Sequence, residues 1–342
     1  MKQQVARPRR SFRAVEKSGL VGSTVVRLES QASSAPARWQ TRREKVTSKR
    51  FRKEARAAYL FLAPSLLFFL IFLILPSFFA IFLSLSRWGG FDLTQIKFIG
   101  VDNYRDIWNF DSTFVSPILV NTLVFALLAV VLATTGSLVV AQSIERLSFQ
   151  GLWRFLYFLP VVATVVAVGN VWKMMYQPSG LINGLLNALG VNSIGFLSDP
   201  SLALPSVAVV QAWASIGAAV LILTAGIKAI DRSLYEAAEI DGTNTWTAFW
   251  FITLPLLRPS MAFVFITQAI AGLQSFALII VMTKDGGPSN STNVAAFEMY
   301  QQAFKFGAWG TASAMAMVLF VIIFVITLVQ LFVSRRVAGD ED

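Results

Sequence analysis

The chain has 342 residues, of which 55% are hydrophobic, 13% aromatic and 14% charged, with no Cys and no His. A soluble chain carries about a quarter of its residues as charges, so this composition, with a mean hydropathy of +0.62, excludes a disordered protein, a disulfide scaffold and an ordinary soluble enzyme. The missing Cys and His also exclude zinc sites, iron–sulfur clusters, thiol nucleophiles and imidazole proton shuttles, leaving only carboxylate, Lys or Tyr chemistry.

The formal net charge of +10 is concentrated at the N-terminus. Residues 1–56 hold 16 Lys/Arg against four Glu, whereas the rest of the chain holds 13 against 15 Asp/Glu. Such a segment reads either as a nucleic-acid-binding arm or as a cytoplasmic tail obeying the positive-inside rule. The apolar body favours the second, so no nucleic-acid partner is expected. The first apolar run begins near residue 57 and is too long for the h-region of a secretory signal. Residues 1–48 are expected to form a flexible basic tail.

A hydrocarbon core of about 30 Å needs roughly 20 apolar residues. Six charge-free windows meet this requirement: 57–86, 112–144, 155–172, 200–227, 259–283 and 306–334. They predict an all-α polytopic membrane fold with spans near 58–85, 117–142, 154–175, 204–227, 260–283 and 310–334. These lie within a body at 49–336, followed by an acidic end at 337–342. A seventh uncharged stretch, 174–198, is dense in Pro, Gly, Asn and Ser and predicts a loop with a short surface helix.

Lys49, Arg50, Arg52, Lys53 and Arg56 precede the first span and predict a cytoplasmic N-terminus. Six spans return the C-terminus to the same side. Counted over that topology, 23 Lys/Arg lie inside and six outside, most of the excess coming from the tail. Apart from Arg154 and Lys173 at the two ends of the third span, no ionisable side chain other than Tyr lies within a span, and the length of Lys173 lets it snorkel to the outer interface. Proton-driven transport is therefore not expected, whereas a sodium-coupled secondary carrier using backbone carbonyls stays open. No G-x-x-x-x-G-K-[ST] is present, so the energy for active transport would come from a partner.

The longest later inner loop, 228–260, reads KAIDRSLYEAAEIDGTNTWTAFWFITLPLLRPS. Asp231 or Ser233 is expected to cap a helix from Leu234 to Ile240, ended by Gly242. Thr243 to Phe251 is expected to restart a helix with Trp246, Phe249 and Trp250 as an aromatic face. Leu254-Pro255 and Arg258-Pro259 are then expected to break the chain. Small Ala237 and Ala238 would let a partner approach, with Glu236 and Asp241 as acceptors. This pattern, Glu236-Ala237-Ala238, three residues, Gly242, nine residues, then Ile252-Thr253-Leu254-Pro255, resembles the EAA motif of ABC-importer permeases. The resemblance implies a type I ABC-importer permease fold whose loop at 228–259 docks in a cleft of an ATPase subunit. It assigns coupling to Glu236, Ala237, Ala238, Asp241, Gly242, Leu254 and Pro255. It also implies that ATP and Mg belong to a separate ATPase dimer and that this chain binds no cofactor or metal and is not itself an enzyme.

Further segments are similar to the carbohydrate-importer branch of that family, which includes the maltose transporter. They are 98–108 with Asn121-Thr122, 154–172, and Thr283 with Gly286-Gly287-Pro288, Thr292 and 299–314. One departure is that two residues, Lys284-Asp285, separate Thr283 from the Gly-Gly-Pro where the common pattern has one. The resemblance implies a second, related permease, a solute-binding protein outside the membrane, and a sugar, oligosaccharide or polyol as solute. A neutral, hydroxyl-rich solute needs amides, hydroxyls and aromatic faces along its path. The spans offer Asn170, Trp172, Gln211, Trp213, Ser215, Gln268, Gln274 and Ser275. The last two align with a paired-Asn position of the maltose-transporter pattern. Such groups also serve as hydrogen-bonding glue between membrane helices. A polytopic enzyme would need clustered carboxylates at one interface, and Asp102, Asp106 and Asp111 read more simply as a solvated loop.

Overall fold

The computed structural model describes residues 54–90, 92–109 and 113–339. The expected tail at 1–48, Asp111 and residues 340–342 of the acidic end lie outside the described residues. The chain divides after Pro76 into two units. In the first, residues 54–76 begin α1 (Glu54–Ser84), with a π-turn at Leu70–Ile74 just before Pro76. Proline has no N–H to donate and crowds the carbonyl four residues back, and a widened turn relieves both. The apolar side chains of this segment are exposed, Phe61 at 86%, as suits a surface solvated by hydrocarbon.

The second unit opens with a small antiparallel ladder, β1 (Ser86–Arg87) on β2 (Lys97–Phe98), and the helix α2 (Asp102–Trp108). The buried Asn103 ties them together, its Nδ2 donating to the carbonyls of Ser84 and Ser86 at 2.9 Å each. The long helix α3 (Phe114–Ile144) follows. Then come α4 (Gln150–Val162) and α5 (Val165–Met175), bent by 97°. The span expected at 154–175 is thus two helices. Ala163 and Thr164 are extended between them, and Thr164 Oγ1 restarts the helix by accepting from the Ala167 N–H at 3.3 Å. The surface helix expected within 174–198 is α6 (Leu181–Ala188).

The remaining helices are α7 (Pro200–Ala229), α8 (Arg232–Ile240), α9 (Thr245–Leu256), α10 (Arg258–Leu273), α11 (Ala277–Met282), α12 (Ala295–Tyr300) and α13 (Trp309–Gly339). Among the described residues, α1, α3, α7 and α13 are each long and apolar enough to cross a membrane, and the bent pairs α4–α5 and α9–α10 bring the count to six. The span expected at 260–283 comprises α10 and α11 with a break at 274–276.

Helix α7 is central, with α3, α4 and α10 packed against it. Small residues permit the approach, as is usual where hydrocarbon surrounds helices. A Cβ on Gly217 of α7 would meet the Tyr157 carbonyl oxygen, and one on Gly272 of α10 would lie 3.0 Å from Ala126 Cα of α3. The main core holds Phe125, Val207, Val210 and Ile279. A second core, around Ile107, Phe114 and Leu319, joins α2, α3 and α13.

Candidate functional site

The loop at 228–259 is a helix–turn–helix built by local signals. Asp231 starts α8, its Oδ1 accepting from the Ser233 N–H at 2.9 Å. The backbone and hydroxyl of Ser233 together hold the Asp231 carboxyl below the usual carboxylate range. At the other end Gly242 adopts φ +78°. The Thr243 N–H donates to the Ala238 carbonyl at 2.9 Å and the Gly242 N–H to the Glu239 carbonyl at 3.0 Å. This is the Schellman closure, whose left-handed residue is most often glycine. Asn244 then opens α9, accepting from the Thr247 N–H at 2.8 Å.

Trp246, Phe249 and Trp250 cluster as expected, with ring centroids 5.5–6.2 Å apart. The Tyr235 and Thr253 hydroxyls, 2.9 Å apart, tie α8 to α9. Glu236, Ala237, Asp241 and Gly242 are exposed, Glu236 pairing with Arg232 at 3.3 Å. Ala238 is turned inward and is only 9% exposed. Its small size therefore serves packing beneath the loop, in contrast to the expected open face. Ile240 stands out at 87% exposure. Of the two breaks expected, that at Leu254-Pro255 does not occur and that at Arg258-Pro259 does. A π-turn at Phe249–Thr253 absorbs Pro255, and the 69° bend falls between α9 and α10 at the fully buried Leu257. Leu254 and Pro255 line an apolar groove with Arg258 and Thr134.

The second region is a cavity of about 350 Å³ between α4, α5, α7 and α10, with Pro160 and Ala163 on one wall and Gln211, Ser215, Thr267 and Gln268 on the others. The bend at 163–164 contributes to its wall. The Ser275 hydroxyl donates to Gln211 Oε1 at 3.1 Å, and Gln268 Nε2 donates to the Ser215 carbonyl at 3.4 Å. Gln211, Ser215, Gln268 and Ser275 thus come together. Trp172 and Trp213 form an edge-to-face pair at 5.5 Å. Asn170 stands apart, exposed and bonded to the Val166 carbonyl of its own helix at 2.9 Å. Gln274 is exposed at the end of α10. Sequence reasoning missed Thr267, whose hydroxyl donates to the Val264 carbonyl at 2.9 Å; one turn of helix below Ala271, it shares the cavity face.

The segment after α11 is equally ordered. Thr292 and Thr283 share a hydroxyl hydrogen bond of 2.9 Å, and a Cβ on Gly287 would meet the Thr292 hydroxyl. Asn121 Nδ2 donates to the Asn290 and Asn293 carbonyls at 3.3 and 3.2 Å, and Thr122 Oγ1 accepts from the Ala295 N–H at 2.8 Å. The additional residue before Gly286 is accommodated at Asp285, which takes φ +48° and pairs with Lys305 at 3.1 Å.

Up to six apolar spans among the described residues, an exposed helix–turn–helix, and a mainly apolar cavity edged by amides and hydroxyls describe a membrane permease. The family described as "Binding-protein-dependent transport system inner membrane component" matches residues 60–339, and the chain belongs to it. It is 32% identical over 284 residues to the lactose transport system permease protein LacF of Rhizobium radiobacter, covering 81% of this chain and 94% of that protein. It is 34% identical over 300 residues to the trehalose/maltose transport system permease protein MalF of Thermococcus litoralis, covering 85% and 97%. A bacterial ABC transporter involved in import of the acidic polysaccharide alginate contains a chain of similar structure, with a TM-score of 0.71 and 25% identity over 84% of this chain and 99% of that one.

Proposed function

We propose that the chain is a permease subunit of an ATP-driven importer that carries a sugar, oligosaccharide or related polyol delivered by an extracytoplasmic binding protein. The observation that carries this reading is the Gly242-closed helix–turn–helix, whose exposed Glu236, Ala237, Asp241 and Ile240 present a docking face outside the spans. An ATPase subunit engages that face, and the Glu236 carboxylate exchanges Arg232 for a basic group there. Closure of two such subunits on ATP tilts α8 and α9, and the continuous α9–α10 backbone passes the motion to the cavity wall at Gln268. Each permease offers one such loop, so a dimeric ATPase requires a second permease. The N- and C-termini face the cytoplasm, the side on which the basic tail lies by the positive-inside rule. Relatives named for lactose, for trehalose and maltose, and for diacetylchitobiose support the carbohydrate class, as does a cavity whose mainly apolar wall carries the Gln211 and Gln268 amides and the Ser215 and Thr267 hydroxyls, with no charged side chain in its lining.

Affinity purification of the tagged chain together with its genomic neighbours tests the assignment, followed by ATPase assay with candidate binding proteins. The expected result is co-purification of a second permease and an ATPase, with hydrolysis stimulated by one binding protein and its sugar. A chain that moves solute alone in proteoliposomes without ATP would make it a sodium-coupled carrier instead.

A further inference from the structure

Six aromatic rings run in unbroken contact from Phe276, beside the Ser275–Gln211 pair at the edge of the cavity, past Trp88 at the β1–β2 hairpin to Phe79 of α1. Phe276 lies beside Ser275 and stacks on Tyr300 at 6.0 Å; Tyr300 meets Phe304 at 5.2 Å, and Phe304 meets Trp309 at 4.9 Å. Trp309 reaches Trp88 at 5.9 Å, and Trp88 reaches Phe79 at 6.3 Å. The rings are not sealed in the core, since Phe304 is 66% exposed and Tyr300 42%. They are nevertheless fixed. Gly90 sits at φ +89° where any Cβ would meet the Trp309 indole, the Trp309 N–H donates to the Trp88 carbonyl at 3.2 Å, and Trp88 Nε1 donates to the Asp92 carbonyl at 2.8 Å.

We infer that this ladder is a sliding track along which an oligosaccharide passes between the outer loops and the cavity at Gln211, an inference that rests on the carbohydrate reading above. A pyranose presents an apolar C–H face whose hydrogens are slightly positive, and an aromatic ring presents a slightly negative face. Such stacking is undirected, so successive registers differ little in energy and a chain advances without breaking strong bonds. At the Phe276 end the Ser275 hydroxyl and the Gln211 amide take over with directional hydrogen bonds to sugar hydroxyls. A belt of aromatics at the membrane–water boundary is the competing account. Against it, Trp88 gives its indole N–H to the protein and Trp309 is held by the Gly90 turn, where a belt leaves that edge for headgroups and water.

The test uses the complete importer with its binding protein in proteoliposomes, probed with two pairs of neutral sugars, maltose with maltopentaose and diacetylchitobiose with its pentamer. Phe304→Ala and Tyr300→Ala are expected to slow pentasaccharide uptake about two- to tenfold each, the loss of one ring contact, with disaccharide uptake changed less than about twofold. Phe304→Tyr should restore the native rate. Because the chain has no Cys, Phe304→Cys gives this subunit a single thiol, whose labelling by a water-soluble methanethiosulfonate, read on this subunit, should be blocked by the transported pentasaccharide. Equal losses for short and long sugars, or labelling that sugar leaves unchanged, would overturn the track while uptake itself upheld the carbohydrate reading. Failure of every probe to stimulate hydrolysis in the native importer would overturn that reading, and the track with it.

Discussion

Gly242 is the residue at which the proposed coupling role of the 228–259 loop is most open to test. Its φ of +78° is a conformation L-residues avoid at a cost of about 1–2 kcal/mol, and no atom lies within 4 Å of the position a Cβ would take. A substitution there therefore introduces backbone strain and no clash. The strain falls on the two hydrogen bonds that close α8, Thr243 N–H to Ala238 and Gly242 N–H to Glu239. A loop weakened by about 1–2 kcal/mol loses its closed geometry by a factor of roughly 5–30. Gly242→Val should thus cut binding-protein-stimulated ATP hydrolysis by about that factor. Gly242→Asn, a residue that tolerates the left-handed region, should cut it less, with Gly242→Ala between them. The melting temperature of the permease itself should stay near native for all three, because the loop lies outside the cores, whereas co-purification of the ATPase should fall in the same order as hydrolysis. If Gly242→Val hydrolyses ATP within about twofold of the native importer, the closed loop does not carry the coupling.

Ser275→Ala removes the 3.1 Å bond to Gln211, and a net hydrogen bond is worth about 0.5–1.5 kcal/mol. If the pair contacts solute, KM for uptake rises about two- to tenfold with little change in melting temperature, whereas a lowered melting temperature at constant KM assigns it to helix adhesion. Gly217→Ala forces α7 away from α4, whose backbone at Tyr157 and Phe158 the new methyl would meet. A loss of about 1–3 kcal/mol, typical of overpacking, should appear as a lower melting temperature in detergent, while Gly184→Ala, with nothing within 4 Å, should not lower it. The Asp231 carboxyl has a folded pKa below its unfolded value of 3.8, so its cap stabilises α8 above that value and is lost as pH falls through the folded pKa. Hydrogen exchange of 231–242 should accelerate relative to the remaining segments as pH drops below about 3.8, and Asp231→Asn should abolish that dependence; an unchanged profile in the variant would refute it.

What the sequence discloses and what it conceals divide by the range of the interaction. Asp231 and Gly242 each act on backbone within five residues, so the caps of α8 follow from residue type alone; Asn244 acts as locally, although the sequence pattern places the start of the second helix at Thr243. The spans follow from apolar length, which hydrocarbon demands irrespective of neighbours. The bend at 163–164 has neither Gly nor Pro at its vertex, and the adjacent Gly217 contact belongs to α7, more than fifty residues further on. The 274–276 break is likewise held by Gln211, 64 residues from Ser275. Ala238 shows the same limit at one residue. A small side chain admits close approach from either side, and only the Tyr235–Thr253 tie between the two helices decides that it faces inward. Pro255 errs in the opposite direction, because a proline demands relief of one carbonyl and not an end to the helix, and the π-turn at Phe249–Thr253 supplies it. The bend of α9 on α10 falls instead at Leu257, directly before the Arg258-Pro259 pair that the sequence also marks as a break, because a proline in the first turn of a helix sets its start without interrupting it.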